Sequence, residues 1–235
     1  MNFEAKINKF LEILIDYKGY VKVIEGLENT LKIAIIGLII GIIIGTLIAT
    51  IRVIPKYKLL PRVLNSICTF YVGFFRGTPM VVQLLLFYYV ALPLMGINLP
   101  SVSVAIAVFG LNSGAYISEI MRSGIQSVDY GQTEGGRSVG LSFATTMMKI
   151  VIPQAVKNIL PTLGNEFIVL IKETSIVSFI GAADLYVAFN YIGSNSYEFM
   201  VPYLAMAIIY IVIVCLITLL IKFMERSLKK SDRRN

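Results

Sequence analysis

The sequence has no histidine, only two cysteines, and few charges: 15% of its 235 residues are Asp, Glu, Lys or Arg, where a soluble domain carries about 25%. Without histidine, imidazole acid–base chemistry and His-ligated zinc are excluded. Cys68 and Cys215 stand far apart in apolar segments, a spacing that gives neither a disulfide framework nor a metal-ligand motif. Absent too is any G-x-x-x-x-G-K-[ST] sequence, so the chain cannot itself hold ATP phosphates in a P-loop. No cysteine nucleophile and no paired-carboxylate motif at helix ends points to a membrane enzyme. The stretch from Met1 to Glu28 mixes Lys6, Lys9, Lys18 and Lys22 with Glu4, Glu12, Asp16, Glu25 and Glu28, and so lacks the apolar core of a signal peptide.

What is present is oil. Hydrophobic residues make up 57% of the chain, and several continuous apolar runs reach the roughly 20 residues that cross a bilayer. Continuous rather than alternating runs exclude a β-barrel. The expected fold class is therefore an all-α integral membrane protein. Five transmembrane helices are predicted, at about Leu31–Ile54, Tyr71–Leu94 (with a lead-in from Val63), Val102–Ser123, Val156–Ile180 and Tyr203–Met224.

The net charge of +7 reads as cytoplasmic loop charge rather than as a nucleic-acid surface. Arg52, Lys56, Lys58 and Arg62 follow the first span, whereas Pro93 to Ser101 is uncharged. Arg122, Arg137 and Lys149 follow the third, and only Asp184 and Glu198 follow the fourth. The tail after Met224 carries Arg226, Lys229, Lys230, Arg233 and Arg234. Five spans make basic and non-basic loops alternate, with the N-terminus outside and the C-terminus in the cytoplasm; four or six break the pattern. Three regions follow. Residues 1–26 form an extracytoplasmic segment in which Phe10, Leu11, Leu14 and Ile15 can make one face of an interfacial helix. Residues 27–225 form the transmembrane domain, and 226–235 the basic cytoplasmic tail.

The second span is the irregular one. From Val63 to Leu92 the chain is longer than the hydrocarbon core, and Arg76–Gly77–Thr78–Pro79 falls in its middle. Either the chain before Arg76 lies along the inner surface or the helix breaks there. The first is preferred, because it keeps Arg76 at the cytoplasmic interface. In the first span Gly37, Gly41, Gly45 and Ala49 recur every four residues, a face for close helix packing to which no ligand is assigned.

Two other spans carry polar stripes. At 100° per residue Asn112, Tyr116, Glu119 and Ser123 share one face, and Thr162, Asn165, Glu166, Lys172 and Glu173 share about a third of a circumference. Such stripes face protein or water rather than lipid. They are read as a substrate path, with a structural network such as Glu119 with Arg122 as the alternative. The acids Glu119, Glu166 and Glu173 suggest tolerance for a cationic group. Pro161 can kink the fourth span.

Between the third and fourth spans lies a polar segment from Asp129 to Gly140. Asp129 can cap a short helix with Gln132 in capping-box register, and Glu134 is expected to add charge in its first turn. Gly135 and Gly136 present almost no side chain, so a partner surface can approach closely. Each also costs about 1 kcal/mol of helix stability relative to alanine, which suits a helix held in a groove.

Four blocks resemble a known family. Gln132, Glu134, Gly140, Pro153, Gln154, Ala155, Pro161 and Asn165 are similar to the cytoplasmic "EAA" signature of ABC importer permeases, with Gly135 and Gly136 where two alanines are usual. Phe75–Arg76–Gly77–Thr78–Pro79 with Gln83, Gly114–Ala115–Tyr116–Ile117–Ser118–Glu119–Ile120 with Arg122 and Gly124, and Ile171–Lys172–Glu173–Thr174–Ser175 resemble the polar amino acid branch, which serves histidine, arginine, glutamine, glutamate and cystine. Together they span about Leu27 to Met224. The resemblance implies a non-catalytic permease subunit of an importer in the bacterial inner membrane. Its partners would be a second permease subunit, in a homodimer or heterodimer, a cytoplasmic ABC ATPase, and an extracytoplasmic substrate-binding protein. No cofactor is expected in this chain, since ATP and Mg belong to the ATPase. Glu134, Gly135, Gly136 and Gly140 would form the ATPase-coupling helix. The substrate path is expected to include Gln83, Asn112, Tyr116, Glu119, Asn165, Glu166, Lys172 and Glu173, with a basic amino acid as first choice. The alternative is a self-contained ion-coupled carrier or channel built on Glu119, Glu166, Lys172 and Glu173; five spans give it no even internal repeat.

Overall fold

The computed structural model describes residues 3–54 and 57–232, with side chains through Arg226. Lys56 and the end of the basic tail lie outside the described residues. Every described regular element is helical. The chain opens with α1 (Phe3–Leu11) and a π turn to Asp16. Lys18, in the left-handed region at φ 55°, then turns it into α2 (Gly19–Val53). The next helices are α3 (Leu59–Gly77) and α4 (Met80–Leu86, carried through a π turn to Leu94). After α5 (Ser101–Gln126) and the short α6 (Tyr130–Ser138), α7 (Phe143–Thr146) runs through a π turn into α8 (Ile152–Glu173). A 3-10 segment, Thr174–Ile180, leads to α9 (Leu185–Ser196) and α10 (Met200–Asp232).

Helix α5 is the axis of the bundle: 61% of its most apolar stretch is buried, against 6% for α10. Its closest neighbour is α2, and the glycine periodicity explains why. A Cβ on Gly45 would sit 2.7 Å from Ile117 Cγ2, and one on Gly41 2.7 Å from Ser113 Oγ. The relation is mutual, because Gly110 and Gly114 of α5 receive Ile40 and Ile44 at 2.6 and 2.7 Å. Bare backbone on each helix accepts β-branched side chains of the other. Ile33, Leu84, Val108, Phe109, Leu170 and Val177 form the main core across α2, α4, α5, the end of α8 and the 3-10 segment after it.

Three helices are long and apolar enough to cross a membrane among the described residues: Gly19–Val53, Ser101–Gln126 and Met200–Arg226. The pair Leu59–Gly77 and Met80–Leu94 makes a fourth if it counts as one broken span. The five expected spans are thus not reproduced by length and composition. The helix that falls short is α8, whose Lys157, Glu166, Lys172 and Glu173 dilute its apolar content. Its expected course to Ile180 also ends at Glu173, where the chain tightens to 3-10 geometry.

Of the two alternatives for the second span, the structure shows the break, the one not preferred. The span bends by 107° at Thr78–Pro79, because proline removes a ladder donor and holds the preceding residue extended. The segment before α2 packs on the bundle itself. Phe10 and Leu14 pack on a cluster of Leu185, Phe189 and Ile192 from α9, while Leu11 and Ile15 stay exposed. Lys6 reaches Glu198 at 2.9 Å, tying α1 to the turn before α10.

Candidate functional site

The break between α3 and α4 strips backbone carbonyls of helical partners, and two buried amides replace them. Gln83 Nε2 donates to the carbonyls of Phe75 (2.8 Å) and Thr78 (3.0 Å) and to Thr78 Oγ1 (2.8 Å). Asn112 Nδ2, from α5, donates to Gln83 Oε1 at 2.9 Å and to the Phe75 carbonyl at 3.3 Å. Gln83 and Asn112 are buried. They hold the break open against α5 rather than letting the helix re-form.

A cavity of about 280 Å3 forms at this break, lined by Thr78, Pro79, Met80, Asn112, Tyr116, Glu166, Val169 and Glu173. Two carboxylates, Glu166 and Glu173, line it with no lysine or arginine among the lining residues. Ser113 Oγ donates to Glu166 Oε1 at 3.1 Å. Ser113 in turn occupies the space that a side chain at position 41 would need, so the α2–α5 packing positions a donor to the acid. Met80, the first residue of the second half-helix, also faces the cavity, at the positive end of a peptide dipole.

Tyr116 lines a second cavity too, about 430 Å3, on the side of α5 that leads to α6. Arg76, Glu119, Arg122, Ser127, Asn158 and Thr162 are among its other lining residues. Glu119 is here the centre of a three-arginine cluster. Arg52 Nη1 donates to Oε1, and Arg122 donates to Oε2 through Nε (3.0 Å) and Nη2 (2.6 Å). Arg76 Nη1 stands 3.9 Å from Oε2, with its guanidinium 5.4 Å from the Tyr116 ring centroid.

The expected path residues therefore divide. Asn112, Tyr116, Glu166 and Glu173 converge on the first cavity. Gln83 stands behind it as a buried positioning group. Glu119 is separated from the other two acids, its charge taken by arginines from the ends of α2 and α3 and from α5 itself. Asn165 and Lys172 are exposed and line neither cavity, because they project beyond the narrow arc that faces α5. Thr78, Pro79, Met80 and Val169 also line this first cavity, although none of them is among the expected path residues. For the first three the signal is Gly-Thr-Pro inside a membrane-length run, the mark of an interrupted helix.

The Asp129–Gly140 segment forms α6. Asp129 Oδ1 accepts from the Gly131 N–H at 2.8 Å. Glu134 is exposed but sits in the second turn, not in the first as expected. Gly136 is a further correction. It faces inward, where a Cβ would meet Thr146 Cγ2 at 2.7 Å, so it seats α6 on its own chain. Glu134, Gly135 and Gly140 remain on the outer surface. Gly140, at φ 85°, ends the helix in a left-handed turn, with the Leu141 N–H donating to the Gly136 carbonyl at 3.1 Å. Gln154 Nε2 donates to Gln132 Oε1 at 3.4 Å, joining α6 to the first turn of α8.

Residues 37–230 match the family model for the inner membrane component of binding-protein-dependent transport systems. The arginine transport system permease protein ArtQ of Bacillus subtilis (strain 168) is 37% identical over 215 residues, covering 89% of this chain and 94% of that protein. A putative glutamine transport system permease protein GlnP of Rickettsia bellii (strain RML369-C) is 37% identical over 206 residues, covering 88% and 92%. Among solved structures, an amino acid ABC transporter with histidines matches with a TM-score of 0.83 and 40% identity, covering 92% of this chain and 98% of that one. The MetNI methionine ABC transporter, inward facing, shares the fold alone, with a TM-score of 0.72 at 16% identity over 88% of this chain and 95% of that one.

Proposed function

We propose, because this chain belongs to the family of binding-protein-dependent transport system inner membrane components, that it is the permease subunit of an ATP-driven importer for basic amino acids. The observation that carries the substrate class is the cavity at the broken helix, where Glu166 and Glu173 stand with no basic residue lining it. Two carboxylates facing one cavity at membrane depth, with no lysine or arginine in its lining, recruit a cation. The start of α4 at Met80 offers N–H groups and a positive dipole end to a carboxylate. A molecule with a cationic side chain and a carboxylate fits both. The arginine and glutamine relatives support an amino acid as substrate without choosing between cationic and neutral.

Transport requires the cavity to open alternately to the two sides. Glu134 and Gly135 on the exposed face of α6, with Gly140 in the turn that follows it, are assigned here to the groove of a cytoplasmic ATPase. Closure of the ATPase on ATP would move α6 and, through Gln132–Gln154 and Gly136–Thr146, the lower end of α8. ATP shifts the equilibrium only through contacts that differ between the two states. In this reading α6 and the C-terminus are cytoplasmic, α1 and α9 are extracytoplasmic, a binding protein delivers substrate there, and a second permease subunit completes the path.

The test is uptake by the assembled transporter in proteoliposomes. Glu166→Gln removes one charge while keeping the acceptor for Ser113. Uptake of arginine at limiting concentration should fall about tenfold or more, the scale of one lost charged hydrogen bond of roughly 1.5–3 kcal/mol, while glutamine uptake changes little. Equal losses for both substrates would remove the charge-based assignment.

A further inference from the structure

The two cavities that share Tyr116 have opposite charge. The first is acidic. The second holds Arg76 and Arg122 beside Glu119, with Arg52 bound to the same carboxylate, so three guanidinium groups stand against one acid. The hydrogen bonds inside this cluster are unevenly spent. Arg52 takes Glu119 Oε1, and Arg122 takes Oε2 with two of its nitrogens and Gln126 Oε1 with the third, at 2.8 Å. Arg76 arrives at a carboxylate already occupied. At 3.9 Å it is beyond hydrogen-bond reach, and among the described residues it donates no hydrogen bond. Its side chain is 44% exposed and lines the cavity. A guanidinium fork of this kind, stacked on an aromatic ring and unspent, matches a carboxylate bidentately.

We propose that the arginine-lined cavity is a second amino acid site, on the α6 side of Tyr116, in which Arg76 receives the α-carboxylate of substrate leaving the acidic cavity. This rests on the reading of the acidic cavity as the substrate site. A basic amino acid carries its two charges at opposite ends. The acidic cavity retains the cationic end, while Arg76 attracts the carboxylate past the ring. Ser127, Asn158 and Thr162 give the site further polar lining, and Asn158 is held by Ser127 at 2.8 Å. A site that accepts departing substrate also accepts substrate returning from the cytoplasm. Internal amino acid should therefore slow further uptake through this cavity.

The experiment uses the complete transporter, permease with its ATPase and binding protein, in proteoliposomes preloaded with millimolar arginine, with agmatine (the same cation without the carboxylate), or with neither. The readout is the ratio of uptake into loaded vesicles to uptake into empty vesicles, taken separately for each variant. Internal arginine should lower the wild-type ratio several-fold, and agmatine should leave it near one. Arg76→Gln should return the arginine ratio to near one, and Arg76→Lys, which keeps the charge but not the fork, should fall between. The proposal is overturned if internal arginine does not slow the wild type, if agmatine slows it equally, or if Arg76→Gln remains as inhibited as the wild type. Failure of the substrate reading is distinct: empty wild-type vesicles would then not accumulate arginine. The same series would be run with the amino acid that is accumulated and its decarboxylated amine.

Discussion

Replacing Glu119 by glutamine is the most informative single perturbation of this bundle. Glu119 joins the end of α2 through Arg52, the end of α3 through Arg76, and the last third of α5 through Arg122. Its side chain is 16% exposed, and the arginines are 18%, 44% and 36% exposed. Removing one partner of a fully buried pair costs about 3–5 kcal/mol. Partial exposure screens the charges left behind, which brings the expectation down to about 2–3 kcal/mol. For a chain of this length that corresponds to a melting point lower by roughly 5–10 °C. The assay is thermal unfolding of the detergent-purified chain, run as a double-mutant cycle with Arg52→Met. Glu119 and Arg52 touch, so their effects should be non-additive by about 1 kcal/mol or more. A shift below about 1 °C for Glu119→Gln, or full additivity with Arg52→Met, would refute the account of Glu119 as the clasp of three helix ends.

Burial pushes the Asp184 carboxyl up to about 6, against the pull of the Val187 and Tyr186 backbone groups. The folded state then holds its proton more tightly than the unfolded one, so stability is greatest at low pH and declines as pH rises through about 4 to 6. Asp184→Asn should flatten that decline and raise stability at pH 7 by about 2–3 kcal/mol, and a variant profile as steep as the wild type would contradict this. Gly45→Leu drives a side chain into Ile117 and the Ser118 backbone and should destabilise by about 1–3 kcal/mol or more in the same melts. Gly135→Ala, whose Cβ meets nothing within 4 Å, should instead be neutral or gain up to about 1 kcal/mol. Glu134→Lys should leave the melting point unchanged but cut transport-coupled ATPase activity about tenfold, as a charge reversal of at least 1.4 kcal/mol at a docking face would; normal coupling would remove α6 from the interface.

Three long apolar helices (α2, α5 and α10), the close-packed glycine face of α2, and the capped segment at Asp129 were readable because each rests on residues near in sequence. Apolar length selects a membrane helix, a four-residue glycine repeat makes a smooth face, and an aspartate two residues before a free N–H caps a turn. Helix α9 is equally local in its signal, with Asp184 accepting from Val187 N–H at 2.9 Å, but its 12 residues are too few to stand out as a membrane helix. Periodicity gathered Asn112, Tyr116, Glu166 and Glu173 as candidates, but periodicity cannot tell neighbours of one helix face apart. Only the tertiary structure decided that Glu119 spends its charge on arginines 67 and 43 residues upstream and 3 downstream. It likewise decided that Gly136 turns inward onto Thr146, and that the chain doubles back at Thr78–Pro79 to open a cavity beside Glu166. A sequence fixes which groups a helix can present. Which of them find a partner depends on how the helices cross, and in a low-dielectric bundle that pairing determines whether a charge is structural or left to meet a ligand.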